Sequence, residues 1–369
     1  MHSIVTSAFF QQQISKINPL LQKHLKGVLI LAAFISLLTT CIFLVAVYRH
    51  WFEHPSFAKY WNASPVDQTA STFKRVIALR HSNTNGIDVV LVGSSGLQYA
   101  LGSEEKMQTL FNEQHTTGSS GGHIALLSTW AQSDEERKLI LKQLRPSQKT
   151  IVYLAISEII LGVDKQTLAK RYDDPLGFHE CDSLKISVLN NQFWTCINPT
   201  LRFYVKRLPY LLKNFYLIQH NNKTAVVDLV SDQTANTVTK RYQDKLDARI
   251  ATDISNIKKN ANLRISALET MIQTLSTQAN FKTVLLRLPL NPALLQNPEY
   301  QANLNDSQLL FDSLSKKYHI DLIDMNNGTA LTADDFQGDY WHIRSDAKRA
   351  DMRLLLVQDI LKRVNNHEK

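Results

Sequence analysis

The sequence predicts an α/β fold in which a mostly parallel, five-stranded sheet carries helices on both faces. Uncharged runs rich in β-branched residues recur along the chain, as is typical of strands that are buried on both faces. Stretches with apolar residues three and four positions apart alternate with these runs, which indicates helices that pack on a sheet. The length of 369 residues and the apolar content of 44% are those of a folded protein with a sizeable core.

An N-terminal membrane anchor precedes this fold. Residues 27–48 carry no charge, and at ~1.5 Å per residue they span the ~30 Å hydrocarbon core of a bilayer. A signal peptide is the alternative, but its apolar stretch would be ~7–15 residues long and would end in a small-residue cleavage site. Residues 1–26 contain three lysines and no acidic residue, so we expect a cytoplasmic tail there and an exported body.

The exported part carries a mild positive charge. Of the 41 basic residues three lie in the tail, whereas all 33 acidic residues follow the anchor, which leaves +5 outside. This excess suits an anionic envelope or an acidic polysaccharide, and the absence of a dense basic stripe makes nucleic acid a poor partner. Cys181 and Cys196 are the two exported cysteines, so we expect a disulfide between them. A metal site or a redox pair suits them less, because neither lies in a Cys-x-x-Cys pattern.

The elements of the main domain, residues 86–369, follow a spacer at residues 49–85 that has a helical patch near 71–80. An irregular segment at 162–239 is interpreted as an insertion that is partly helical near 201–219. We predict strands at residues 89–92, 114–117, 149–156, 283–288 and 319–323. We predict helices at residues 103–111, 124–144, 307–318 and 345–364, and one long amphipathic helix along the apolar stripe of residues 250–275.

The first strand ends in a turn of sequence Gly-Ser-Ser-Gly, which contains Ser94 and Ser95. Ligands of parallel sheets bind at the carboxyl ends of the strands. A serine on a tight turn there exposes its hydroxyl beside backbone N–H groups that can hold an oxyanion. The alternative is that the two serines only cap the next helix. Residues 118–122, with three glycines, are interpreted as a ligand-approaching loop after the second strand, or as a flexible turn.

A second chemical motif lies close to the C-terminus, where Asp339 and His342 form an Asp-x-x-His sequence before the last helix. The carboxylate can fix one ring nitrogen of the histidine, so that the other nitrogen can take a proton from a serine. A surface turn before a capped helix would explain the motif on its own. Paired with a serine after the first strand, it predicts a nucleophile and its base at one edge of the sheet.

Together these motifs resemble the SGNH (GDSL-like) hydrolase superfamily over residues 87–364, apart from the insertion. The resemblance implies a flavodoxin-like, three-layer α/β/α sandwich. It makes Ser95 of the Gly-x-Ser turn the nucleophile, Asp339 the orienter and His342 the general base. Gly121, in the small-residue loop, would donate its N–H to the oxyanion.

Two positions depart from the family pattern. Ser94 stands where the family has an Asp before the nucleophile. The Asn that supplies a side-chain oxyanion donor after the third strand falls near Ser157, which is the candidate replacement.

The Gly-Ser-Ser turn and the anchor are similar to the envelope acyl-transfer branch, which includes alginate O-acetylation proteins and the D-alanyl transfer protein of lipoteichoic acid synthesis. The resemblance implies a single-pass protein of the cytoplasmic membrane whose periplasmic domain moves an acyl group, expected to be acetyl, through a Ser95 ester to or from a polysaccharide. A polytopic membrane acyltransferase is the implied partner, and neither a metal nor a cofactor is expected. With water as acceptor the protein would be an esterase. A non-catalytic scaffold of an exopolysaccharide machine is the alternative from another class, and the missing Asn favours it.

Overall fold

The α/β prediction is confirmed by the computed structural model, in which five parallel strands form one sheet in the order β2-β1-β3-β4-β5. The structure describes residues 19–49, 51–53, 57, 60–61, 68–81, 86–114, 122–129, 132–145, 147–157, 199–221, 239–336 and 342–368. The strands are β1 (Asp88–Ser94), β2 (His123–Thr129), β3 (Thr150–Ile156), β4 (Phe281–Arg287) and β5 (Asp321–Asp324).

Nine α-helices lie within the described residues. They are α1 (Pro19–Tyr48), α2 (Gln68–His81), α3 (Ser95–Leu101), α4 (Glu104–Gln114), α5 (Asp134–Lys142), α6 (Pro199–Asn221), α7 (Thr239–Ser276), α8 (Pro298–Tyr318) and α9 (Asp346–Glu368). Short 3-10 helices cover Trp51–Glu53, Pro292–Gln296 and Ala333–Phe336.

Alternate residues of the strands pack into two different apolar clusters, as the two-residue period of a strand requires. Val90 and Val92 join buried side chains of α2, α5, α7 and α8 in the first cluster. Val89 and Leu91 join side chains of α3, α4 and α9 in the second. The continuous apolar run of β1 is therefore explained by burial on both sides of the strand.

The sequence misplaces the second strand. Of the predicted strand at residues 114–117, the first residue is the last of α4, and residues 115–117 lie outside the described residues. The helix predicted at 124–144 is replaced by β2 and the short α5. The alanine and leucines of β2 favour a helix locally, but pairing with β1 and burial of six of its seven residues override that preference. The glycine-rich stretch 118–122 consequently precedes β2 instead of following it.

Part of the predicted spacer belongs to the folded body. The helix expected near residues 71–80 is present as α2, whose Phe73 and Val76 are fully buried in the first cluster. The Thr72 hydroxyl donates to the backbone oxygen of Ser128 at 2.6 Å, which fixes α2 beside the carboxyl half of β2. Residues 68–81 are thus a helix of the core.

The predicted anchor lies in α1. Within the part of the chain that the structure describes, His24–Tyr48 is the one helix long and apolar enough to cross a membrane, with a mean hydropathy of 2.8. Most of its apolar side chains are exposed, whereas Ala46 and Val47 at its carboxyl end are buried against the body. In the predicted insertion, α6 covers the helical part expected near 201–219, and residues 158–198 and 222–238 lie outside the described residues.

Candidate active site

The structure brings Ser95 and His342 together although 247 positions separate them in the sequence. Ser95 is the first residue of α3, directly after β1, and His342 lies on the loop that leads into α9. The Ser95 Oγ is 3.0 Å from the His342 Nε2. This distance allows the imidazole to accept the proton of the serine hydroxyl, which is the geometry that a nucleophile and its general base require.

The helix-capping alternative does not account for these serines. Ser94 occupies the N-cap position of α3 with extended backbone (φ −80°, ψ −175°), but its side chain makes no capping hydrogen bond. The Ser95 hydroxyl meets His342 instead. As the first residue of a helix, Ser95 also has a backbone N–H without an intrahelical acceptor, and such a group can donate to an oxyanion.

Gly93 allows the tight turn that carries the nucleophile. A Cβ atom at this position would lie 2.6 Å from the Ala155 Cβ on β3 and 3.0 Å from the Leu97 Cδ2 on α3. Both distances are shorter than normal carbon–carbon contacts, so any side chain at position 93 would force β1 and α3 away from β3. Steric hindrance therefore explains why the Gly-x-Ser motif has a glycine at position 93.

The ring of Tyr99 packs against His342. Tyr99, one helical turn after the nucleophile on α3, has its ring centroid 4.2 Å from that of His342, at an interplanar angle of 41°. The Arg344 guanidinium lies 4.7 Å from the Tyr99 centroid, in cation–π contact. The helix that supplies the serine thus also contacts the base.

Arg349 links the two halves of the site. Its side chain is 2% exposed, and its Nε donates to the backbone oxygens of Tyr99 and Ile343, both at 3.1 Å. Its Nη2 donates to the Ile343 oxygen at 2.7 Å. Burial lowers the pKa of the Arg349 guanidinium, but arginine stays charged in proteins and its hydrogen bonds are charge-assisted. Arg349 therefore ties the helix of Ser95 to the loop of His342.

Sequence reasoning missed Arg349, although the sequence contains a signal. The residue lies three positions before Met352 and seven before Leu356, two apolar residues of α9 that are buried in the second cluster. A charged residue within such a stripe must find buried partners. Here the partners are the carbonyl groups beside the site.

The remaining predicted site residues have different outcomes. Ser157 is buried directly after β3, and continuing the pairing of Val92 with Leu154 puts it level with Ser95 at the same sheet edge. Gly121, Asp339, Cys181 and Cys196 lie outside the described residues.

The glycine-rich stretch 118–122 precedes β2, whereas we predicted that it follows the second strand. Gly122 directly precedes His123, which pairs with Asp88 at the start of β1. At ~3.3 Å per residue, a seven-residue strand puts this end ~20 Å from the edge that carries Ser95. The segment that follows β2 at the catalytic edge starts after Thr129.

A groove of about 980 Å³ lies between α3 and α4 on one side and α9 on the other. Tyr99 lines it, and so do the polar residues Gln98, Lys106, Asp351 and Arg353. Tyr99 also contacts His342, but Ser95 and His342 are not among the residues that line the groove.

Among the described residues, no group of three or more His, Cys, Asp or Glu side chains is placed to hold a metal ion. No protein-family model matches this chain. No curated protein matches it either.

Proposed function

We propose that this protein is an SGNH-like serine O-acyltransferase or esterase in which Ser95 is the nucleophile and His342 the general base. The observation that carries the proposal is the 3.0 Å contact between the Ser95 Oγ and the His342 Nε2 at the carboxyl end of a central parallel strand. The fold proposed with it is the three-layer α/β/α sandwich of that superfamily.

The reaction proceeds in two steps. In the first, the His342 Nε2 takes the Ser95 proton while the Oγ attacks the acyl carbonyl. The bond to the leaving group breaks, and the leaving group takes the proton from the imidazolium, which leaves an ester on Ser95. In the second, His342 takes a proton from an acceptor hydroxyl or from water, the acceptor attacks the ester, and the Ser95 oxygen recovers its proton.

Three further groups complete the proposed site. Asp339 accepts a hydrogen bond from the His342 Nδ1 and holds the ring in the tautomer that can act as a base. The backbone N–H of Ser95 and the hydroxyl of Ser157 donate to the oxyanion of the tetrahedral intermediate.

The proposed setting is the cell envelope, with α1 as a single-pass anchor, the N-terminus in the cytoplasm and the catalytic domain in the periplasm. The lysines of residues 1–26 support this orientation. A polysaccharide is the proposed acyl acceptor, because the mild positive charge of the exported part suits an acidic glycan. A polytopic membrane acyltransferase is the proposed source of the acyl group, expected to be acetyl. A reporter enzyme that works only outside the cytoplasm, fused after Lys369, should be active, and an inactive fusion at normal expression would refute the orientation.

Two adjacent serines provide the test and its control. The full-length protein should hydrolyse an activated acetyl ester, and Ser95→Ala should reduce the rate to that of the uncatalysed reaction. Ser94→Ala should retain most of the activity, because the Ser94 side chain makes no capping bond and is not the partner of His342. Equal rates for wild type and Ser95→Ala would remove the catalytic proposal and favour the scaffold.

A further inference from the structure

One face of α6 exposes a stripe of apolar side chains. Val205, Leu208, Leu212, Phe215 and Tyr216 are between 37% and 71% exposed. At 100° per residue these five positions fall on one side of the helix. Lys206 and Lys213, both exposed, lie along one margin of this stripe.

The opposite face of α6 is firmly attached to the body, so the stripe is not a result of loose packing. The Phe203 ring stacks on Phe73 of α2 with centroids 3.9 Å apart. Arg207, which is buried, donates from Nη1 to the Trp61 oxygen at 2.8 Å. Asn214 donates to the Tyr60 oxygen at 3.0 Å. These contacts fix the rotation of the helix and hence the direction of its apolar face.

An aromatic cluster connects α6 with the carboxyl end of α1. The Phe43 ring of α1 lies 5.6 Å from that of Phe52. Phe52 contacts Trp61 at 4.6 Å and Tyr204 of α6 at 5.1 Å, and Trp61 contacts Tyr204 at 4.9 Å, all between centroids. The cluster therefore connects the first turns of α6 with the carboxyl end of the candidate membrane span, where the bilayer surface would lie.

We propose that α6 is an interfacial helix whose stripe lies in the lipid headgroup region beside the carboxyl end of α1. The occupant is the bilayer, because the aromatic cluster joins the helix that carries the stripe to an apolar helix that itself requires lipid, and because lysines at the margin of the stripe suit anionic headgroups. Helices of this kind bury their apolar face ~5–10 Å into the headgroup and acyl boundary. The inference rests on the proposed anchoring by α1 and is independent of the chemistry of Ser95.

Helix α2 connects α6 with the catalytic edge of the sheet. Phe203 of α6 packs on α2, and the neighbouring Thr72 of α2 donates to the Ser128 oxygen. Ser128 pairs with Gly93, two residues before the nucleophile. α6 is thus connected through α2 to the strand ends beside Ser95, and the proposal puts this edge on the membrane side of the domain, where a membrane-borne acyl donor could reach it.

The test uses the full-length protein in vesicles of phosphatidylcholine and phosphatidylglycerol that contain a lipid spin-labelled near the headgroup. An environment-sensitive fluorophore is attached to Leu212→Cys in a Cys41→Ala background. The matched control is Leu309→Cys, an equally exposed leucine (68%) on α8. The same background without a new cysteine serves as the blank, and native Cys41, which is exposed on α1, reports the anchor.

The label at position 212 should emit at shorter wavelength and lose most of its fluorescence to the spin-labelled lipid, whereas the label at 309 should lose little. Solvent-like, unquenched emission at 212 with quenching at Cys41 would overturn the interfacial helix and leave the anchor in place. A blue-shifted but unquenched label at 212 would assign the stripe to a protein partner and also overturn the proposal. Absence of quenching at Cys41 would refute the anchoring, and the inference with it. None of these outcomes depends on activity.

Discussion

Replacing Arg349 with methionine tests how the catalytic edge is held together. Methionine retains a long side chain in the same space but donates no hydrogen bond. The backbone oxygens of Tyr99 and Ile343 would each lose a charged donor. A hydrogen bond from a charged group contributes about 1.5–3 kcal/mol. The ion pair with Asp346 adds little, because that carboxylate is 77% exposed.

We therefore expect Arg349→Met to lower the free energy of unfolding by about 3–5 kcal/mol. For a domain of this size the melting temperature should fall by roughly 6–15 °C. The loop of His342 would no longer be tied to α3, and a misplacement of about 1 Å can cost 100-fold in rate. The kcat for hydrolysis of an activated acetyl ester should fall about 10- to 100-fold, with KM nearly unchanged.

Arg353→Met is the matched control. Arg353 lies one turn further along α9 and donates to the Leu101 oxygen of α3 at 2.8 Å. Among the described residues, it makes no hydrogen bond to the loop of His342. This variant should lose stability while kcat stays close to the wild-type value. If Arg349→Met, folded at the assay temperature, kept the wild-type kcat and pH profile, its role would be structural alone and the positioning argument would be wrong.

Three further predictions concern Gly93, Tyr153 and the pair Cys181 and Cys196. Gly93→Ala puts a methyl carbon 2.6 Å from that of Ala155, so urea denaturation should show a loss of about 1–3 kcal/mol, and an unchanged midpoint would refute the clash. Burial and a hydrogen-bonded aspartate raise the pKa of Tyr153 well above its usual range, so folding favours the protonated phenol and wild-type stability should fall as pH rises above ~10. Tyr153→Phe should be about 1 kcal/mol less stable at neutral pH but flatter in the alkaline range, and parallel alkaline curves would contradict this. The disulfide between Cys181 and Cys196, which closes a loop of about 15 residues and adds ~3 kcal/mol in the chain-entropy model, should appear in mass spectrometry of thiol-blocked, unreduced protein, and alkylation of both thiols would exclude it.

The fold could be predicted from the sequence where local pattern and tertiary context agree. Both faces of β1 and β3 are buried, so each strand is a continuous apolar run in the sequence. Such runs alone are enough to predict these two strands. The prediction of β2 was wrong because its alanine and leucines suit a helix equally well, and only its pairing with β1 makes it a strand. Because of this error, we predicted the glycine-rich stretch after the second strand, whereas Gly122 directly precedes β2.

The site could be predicted only in part, for a related reason. Ser95 and His342 carry recognisable local motifs, so their meeting at the edge of the sheet followed from the topology of a parallel sheet. Arg349 acts through backbone oxygens of residues 99 and 343. No local motif identifies such partners, because any residue supplies a carbonyl group. The docking of α6 on α2 likewise depends on contacts between segments far apart in sequence.

The covalent intermediate provides the most direct test of the central claim, that Ser95 is a nucleophile activated by His342. The full-length protein is mixed with an activated acetyl ester, quenched in acid within the first turnovers, digested and analysed by mass spectrometry. The account predicts one acetyl group on Ser95 in the wild type, none at that position in Ser95→Ala, and much slower labelling in His342→Ala. Absence of acetyl-Ser95 in an active wild-type protein, or equal labelling in His342→Ala, would contradict it.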